Sequence, residues 1–282
     1  MFNDNDITRA AQLIRNAERL IITAGAGMGV DSGLPDFRGA GGFWRAFPAL
    51  QSLGKNFEDM ATPSLFDTDP ALAWGFYGLR LNSYRSVVPH AGFAILRRWA
   101  QDELKLKNDD YFVFTSNVDG QFQKSGFDEK RIYECHGSIH HLQCARACTE
   151  EIWSADGFTP VVDEAHCRML NEPPRCPNCG GLARPSILMF NDGFWLPWRS
   201  EFQWIRLRDW LADSKSTVII ELGAGKAIPT VRNFAERLTR KDKSKQFALI
   251  RINTADFTVG RECDVGLAGG ALAALQALDA RL

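Results

Sequence analysis

The chain has 282 residues, 45% of them apolar, enough for one large α/β domain with an inserted module or for two small domains, and too many for a disordered chain. Its 33 basic and 34 acidic residues leave a net charge of −1, which argues against a nucleic-acid partner, because such proteins show a basic excess or face. No run of about 18 apolar residues occurs, so no membrane span is expected.

The N-terminus, MFNDNDITRAAQLI, has acids where a signal peptide needs positive charge. With no export signal, the seven cysteines read better as metal ligands than as disulfides, and cytoplasmic residence is the expectation.

Apolar residues at Ile7, Ala10, Ala11, Ile14 and Ala17 predict a helix over Asp6–Arg19, capped by an Asp. Leu20-Ile21-Ile22-Thr23 then suits a buried parallel strand. Gly25-Ala26-Gly27 follows at once, with Gly29 and Gly33 beyond; glycines after a strand let a phosphate approach the backbone amides. Asp36, Phe37 and Arg38 place an acid, a ring and a guanidinium beside that turn, suited to a dinucleotide's sugar, a ring face and a phosphate. As a standard G-x-G-x-x-G the turn fails, because Val30 stands at the third glycine. By itself the turn is equally a nucleotide site or a plain tight turn.

Residues 40–88 read as a helical insertion flanking the cleft, with a helix starting at Asp69-Pro70. Pro89-His90-Ala91 starts another helix, running to Leu104. Tyr111–Phe114 is a strand, with Ser116, Asn117 and Asp119 at its carboxyl end, where open α/β sheets keep their ligand crevice. Arg131–Cys135 is a short strand closed by His136-Gly137. Pro185–Phe190 returns to a strand, Glu201–Ala212 is a helix, and Thr217–Leu222 is a strand ending in a second glycine turn, Gly223-Ala224-Gly225. A helix over Pro229–Leu238, a solvated loop at residues 241–245, a strand over Phe247–Ile252 and a helix over Ala271–Leu282 complete the chain. Alternating strands and helices predict a doubly wound, Rossmann-like parallel sheet with a small zinc-binding and helical second domain. The expected division is residues 1–39, 89–138 and 184–282 for the Rossmann-like domain. Residues 40–88 and 139–183 then form the small one.

Cys144/Cys148 and Cys176/Cys179 sit on two separate turns and suit a tetrahedral, four-thiolate zinc site, with no open position for catalysis. The first pair has three intervening residues instead of two, so Cys167 or His166 is an alternative ligand. His136 titrates near neutrality and is a candidate base; taken alone, such a histidine is more often structural.

The string from Leu20 to Trp44 resembles the sirtuin signature, GAG followed by SGIPDFR, with Gly29 in place of a serine. Glu134-Cys135-His136-Gly137-Ser138 matches the sirtuin HG motif. Ser116-Asn117-Val118-Asp119-Gly120 resembles TQNIDG, with Ser116 for the glutamine and Gln121-Phe122 for the following LH. Arg184–Phe190 resembles RPHVVWF, the strand that pairs with a substrate peptide, with Met189 for the tryptophan. Leu249–Asn253 fits the adenosine-ribose strand, Cys263-Asp264-Val265 the adenine-side loop, and Gly223-Ala224-Gly225 replaces the first residues of GTSL. Trp74–Arg80 resembles the helix on which the desuccinylase-type branch carries Tyr-x-x-Arg.

The resemblance implies NAD-dependent removal of an acyl group from protein lysine (deacetylation, with desuccinylation or demalonylation if Tyr77 and Arg80 read a carboxylate) to give nicotinamide and O-acyl-ADP-ribose. It implies His136, Asn117 and Asp119 as catalytic residues. NAD would contact Gly25, Ala26, Gly27, Asp36, Phe37, Arg38, Ser116, Asn117, Asp119, Gly223, Ala224, Gly225, Asn253, Asp264 and Val265. Tyr77, Arg80, Met189 and Phe190 would contact the acylated lysine of a partner protein or peptide. The departures at Gly29, Ser116, Phe122, Met189 and residues 223–225 support an alternative, an ADP-ribosyltransferase or NAD glycohydrolase, and a third reading is an NAD- or ADP-ribose-binding sensor without turnover.

Overall fold

A computed structural model describes residues 2–36, 39–103, 110–213, 215–241 and 246–282. In chain order the elements are α1 (Asp4–Asn16), β1 (Arg19–Ala24), α2 (Gly39–Ala46), α3 (Pro48–Ser52), α4 (Phe57–Met60), α5 (Ser64–Thr68), α6 (Pro70–Ser86), α7 (Ala91–Arg98) and β2 (Tyr111–Thr115). There follow α8 (Gln121–Lys124), β3 (Ile132–Glu134), β4 (Gly137–Cys144), β5 (Ile152–Ser154), β6 (Val162–Asp163), β7 (Arg168–Met169) and β8 (Ala183–Ile187). The chain ends with α9 (Trp198–Leu211), β9 (Thr217–Leu222), α10 (Thr230–Lys241), β10 (Phe247–Asn253), β11 (Val265–Ala268) and α11 (Ala271–Asp279).

The main sheet has six strands in the order β11-β10-β9-β1-β2-β3, and every neighbouring pair is parallel. Side chains alternate along a strand, so each strand feeds two cores. Leu20 and Ile22 of β1 join Ile7 and Ile14 of α1, Leu96 of α7 and Leu275 of α11 on one face. Ile21 joins Leu207 of α9 and Phe234 of α10 on the other. The chain leaves β1 toward β2 and β3 and later returns to its other side through β9, β10 and β11. That reversal leaves a crevice at the carboxyl ends of β1 and β9.

A third core joins α2–α6 to a three-stranded antiparallel sheet of order β5-β4-β8. At its centre lies α6, whose Trp74 is fully buried and donates to the Ala183 carbonyl at 3.0 Å. Gly75 makes that packing possible: a Cβ there would lie 1.9 Å from the Cys167 carbonyl oxygen.

Several local expectations need correcting. The first helix starts at Asp4, because Asn3 is the cap and accepts from the Asn5 and Asp6 amides. Its stop at Asn16 leaves Arg19 to β1. The helix expected to reach Leu104 changes at Arg98 into a π-helical turn, Trp99–Glu103, and Leu104 lies outside the described residues. The strand expected over Pro185–Phe190 is Ala183–Ile187, and it pairs with β4 rather than in the main sheet. Unforeseen strands are β4, β5, β6, β7 and β11; Val265 opens β11 instead of sitting in a loop. Of the expected loop 241–245, residues 242–245 lie outside the described residues, and Lys241 still belongs to α10.

Candidate active site

The glycine turns after β1 and β9 meet each other in the crevice. The Gly25 amide donates to the Leu222 carbonyl at 3.0 Å and the Gly27 amide to the Gly223 carbonyl at 3.1 Å. Gly223 has φ +61°, and a Cβ on it would fall 2.4 Å from the Gly27 backbone. A side chain is excluded by both strain and space. Gly223→Ala is expected to lower unfolding stability by about 1–3 kcal/mol. Urea denaturation checks this, and an unchanged midpoint would show that the two turns yield freely.

Around these turns opens a cavity of about 670 Å³. Gly25, Ala26, Asp36, Ser116, Asn117, Asp119, His136, Gly223, Ala224 and Gly225 line it together with Tyr77, Arg80, Met189 and Phe190. Thus residues spread over 201 sequence positions face one space. Phe37 and Arg38 lie outside the described residues.

Not every expected nucleotide contact lines the cavity. Asn253 donates to the Ala224 carbonyl at 2.8 Å and accepts from the Ala255 and Asp256 amides, so it braces the second glycine turn from behind. Asp264 is paired with Arg261 and accepts from the Leu249 amide, and Val265 is buried in β11. Gly27 is covered by Gly223.

Asn117 donates to the Gly25 carbonyl at 3.0 Å, which joins the loop after β2 to the glycine turn after β1. Asp119 is 8% exposed, and burial pushes its carboxyl up to about 6, against the Gln121 amide that hydrogen-bonds its carboxylate form. Burial likewise holds His136 below the ordinary imidazole range, opposed by a hydrogen bond with the Ser116 backbone. The His136 ring is therefore neutral at pH 7 and has a lone pair available. Thr230 at the start of α10 lies 3.3 Å from its Nε2.

Other supports have no local sequence signal. His90 caps α7 through its Nδ1, which accepts from the Gly92 amide, while its Nε2 lies 2.9 Å from the Met28 carbonyl, beside the first glycine turn. Glu134, fully buried, pairs with Arg199 at 2.5 Å and with Gln203. Tyr84 lines the same cavity as Tyr77 and Arg80. Partners such as Thr230 and Arg199 are 94 and 65 positions from His136 and Glu134, so only the fold reveals them.

The Cys144, Cys148, Cys176 and Cys179 sulfurs all lie within 4.8 Å of one another, with Cys144–Cys179 at 3.8 Å and Cys148–Cys176 at 3.6 Å. A tetrahedron of Zn–S bonds of about 2.3 Å has edges of roughly 3.8 Å, so the donor set fits zinc. The alternatives are placed elsewhere: Cys167 is buried in the α6 core, and His166 pairs with Asp163 at 2.6 Å. Four thiolates fill the coordination sphere, so the metal is structural.

The Sir2 family profile matches residues 25–209 of the chain. An NAD-dependent protein deacylase of Aeropyrum pernix is 30% identical over 186 residues, covering 66% of this chain and 65% of that protein. The NAD-dependent protein deacylase sirtuin-5, mitochondrial, of Danio rerio is 29% identical, covering 67% and 62%. The chain thus spans a little under two thirds of the length of these curated relatives. A crystal structure of a Sir2 homolog–NAD complex superposes with a TM-score of 0.71 over 96% of this chain and 92% of that one, at 21% identity.

Proposed function

Since the chain belongs to the Sir2 family, we propose that it is an NAD-dependent protein-lysine deacylase acting on acylated proteins or peptides. The observation that carries this reading is the single cavity in which both glycine turns, Asn117, Asp119, His136, Tyr77 and Arg80 meet. The glycine turns suit a dinucleotide, Tyr77 and Arg80 suit an acyl chain, and the candidate base lines the same cavity.

NAD, consumed as co-substrate, supplies an electrophilic anomeric carbon and nicotinamide as leaving group. The glycine turns, whose Gly25 and Gly27 amides are engaged by the Leu222 and Gly223 carbonyls, leave room for a pyrophosphate to approach the backbone closely, and Asn117 and Asp119 hold the carboxamide end. His136 accepts a proton from a ribose hydroxyl, and the wall formed by Ile187, Met189 and Phe190 keeps water from the acyl group. In this reading residues 1–39, 89–138 and 184–282 form the nucleotide domain. Residues 40–88 and 139–183 form the small domain.

Cytoplasmic residence goes with four cysteines gathered for a metal; no helix among the described residues is long and apolar enough to cross a membrane.

Tyr77 and Arg80 are both buried, with the Arg80 guanidinium carbon 5.5 Å from the Tyr77 ring. A hydroxyl and a forked cation at the end of an acyl cavity suit a terminal carboxylate. Arg80→Met is expected to reduce desuccinylation roughly tenfold to a hundredfold more than deacetylation. Equal losses with succinyl-lysine and acetyl-lysine peptides would remove that role.

The overall reading is tested by nicotinamide release from NAD with no peptide, with acetyl-lysine peptide and with succinyl-lysine peptide. Peptide-dependent release is expected. Release that ignores the peptide would identify an NAD glycohydrolase, and tight NAD binding with no release a sensor.

A further inference from the structure

Tyr77, Arg80 and Tyr84 occupy successive turns of α6, three and four residues apart, and so share one side of the helix. Tyr84 is 5% exposed and lines the same cavity as the other two. Its hydroxyl accepts a hydrogen bond from Arg80 Nε at 3.1 Å, inside the protein. The guanidinium carbon stands 5.2 Å from the Phe76 ring, 5.5 Å from the Tyr77 ring and 5.6 Å from the Tyr84 ring, so three rings of α6 attract the cation.

A guanidinium has two edges that match a carboxylate: Nε with one Nη, and the two Nη together. The Tyr84 hydroxyl occupies the first edge. We propose that Tyr84 is a positioning residue for acyl-chain specificity, forcing Arg80 to meet a terminal carboxylate through its two Nη groups.

The arrangement is also tied to the loop after β2. Gln121 Nε2 donates to the Tyr84 carbonyl at 3.3 Å, and the Gln121 amide donates to the Asp119 carboxylate at 2.9 Å. Gln121, a departure from the sirtuin pattern at that position, thereby links the acyl-reading helix to the loop that carries Asp119. Without the Tyr84 hydroxyl, the hydrogen bond that orients Nε is lost, and the carboxylate meets a cation whose edge is less firmly fixed.

The inference rests on the reading of Tyr77 and Arg80 as a carboxylate site, and the experiment separates the two. Steady-state kinetics with succinyl-lysine and acetyl-lysine peptides are measured for the wild type, Tyr84→Phe, Arg80→Met and the double variant. Tyr84→Phe keeps the ring and removes only the hydroxyl. It is expected to lower the succinyl-to-acetyl ratio of kcat/KM about tenfold, through KM. In the Arg80→Met background it is expected to change that ratio no further, because the hydroxyl acts through the guanidinium.

An unchanged ratio in Tyr84→Phe, with a reduced one in Arg80→Met, overturns the role of Tyr84 and leaves the carboxylate site standing. A ratio that Arg80→Met does not move overturns the site itself, and the proposal with it. Additive losses in the double variant, or equal losses with both peptides in Tyr84→Phe, reduce Tyr84 to a general packing role and overturn the proposal.

Discussion

His136→Ala is expected to abolish lysine release, with turnover falling roughly 10²- to 10⁴-fold while NAD affinity stays within about threefold. The ring lines the cavity that also holds both glycine turns, Tyr77 and Arg80, and its neutral form is favoured because burial lowers its basicity. Affinity should survive because the glycine turns and the loop after β2 are held by their own backbone contacts. Turnover at the wild-type rate would refute the role of His136.

The pH profile adds a constraint on the same site. His136 loses its proton below the ordinary imidazole range, whereas Asp119 becomes ionised only above about 6. If the ionised carboxylate holds the carboxamide end, turnover rises as pH increases through about 6. A profile flat from pH 5 to pH 8 would remove the Asp119 carboxylate from that task.

Cys176→Ser is expected to release the metal, unfold the small cysteine-rich module and leave no measurable turnover. Between residues 145 and 182 few apolar side chains are buried, chiefly Ala155, Cys167 and Met169, so this segment lacks a core of its own. The thiolate cluster joins the end of β4 to the turn at residues 176–179, and the Arg175–Leu182 bridge leads from that turn into β8. β4 and β8 in turn flank His136, whose carbonyl accepts from the Leu188 amide at 3.0 Å.

Structural zinc contributes on the order of 10 kcal/mol in small metal-dependent folds, comparable with the whole stability of an ordinary domain. Metal analysis of the wild type should therefore find about one zinc per chain. A metal-free wild type that is folded and active would rule the site out, and so would a Cys176→Ser variant with full turnover.

Much of this was legible along the chain. Leu20–Thr23 and Tyr111–Phe114 announce themselves as strands because a parallel sheet covered on both faces demands nearly continuous apolar runs, and Thr217–Leu222 and Phe247–Ile252 do so although each carries one buried charge, Glu221 and Arg251, which pair at 2.6 Å. The alternation of those runs with amphipathic stretches is enough to give the doubly wound architecture. The metal ligands and the glycine turns are equally local, since their chemistry requires particular residues at short spacing.

What the tertiary structure decided is pairing over distance. Short strands such as β5, β6, β7 and β11 have no periodicity long enough to read, and β8 shifted because its partner is β4 and not the main sheet. The sequence marks Asn253 and Asp264 as polar residues near a strand but cannot say which partners they meet; the fold gives them Ala224 and Arg261, and neither lines the cavity. Tyr84 looks like one more aromatic of a helical insertion until its hydroxyl is found 3.1 Å from Arg80 Nε. Spacing within an element is written in the sequence, because helix and strand periods are fixed by the backbone. Contacts between elements depend on how buried surfaces settle against one another, and only the packed chain determines them.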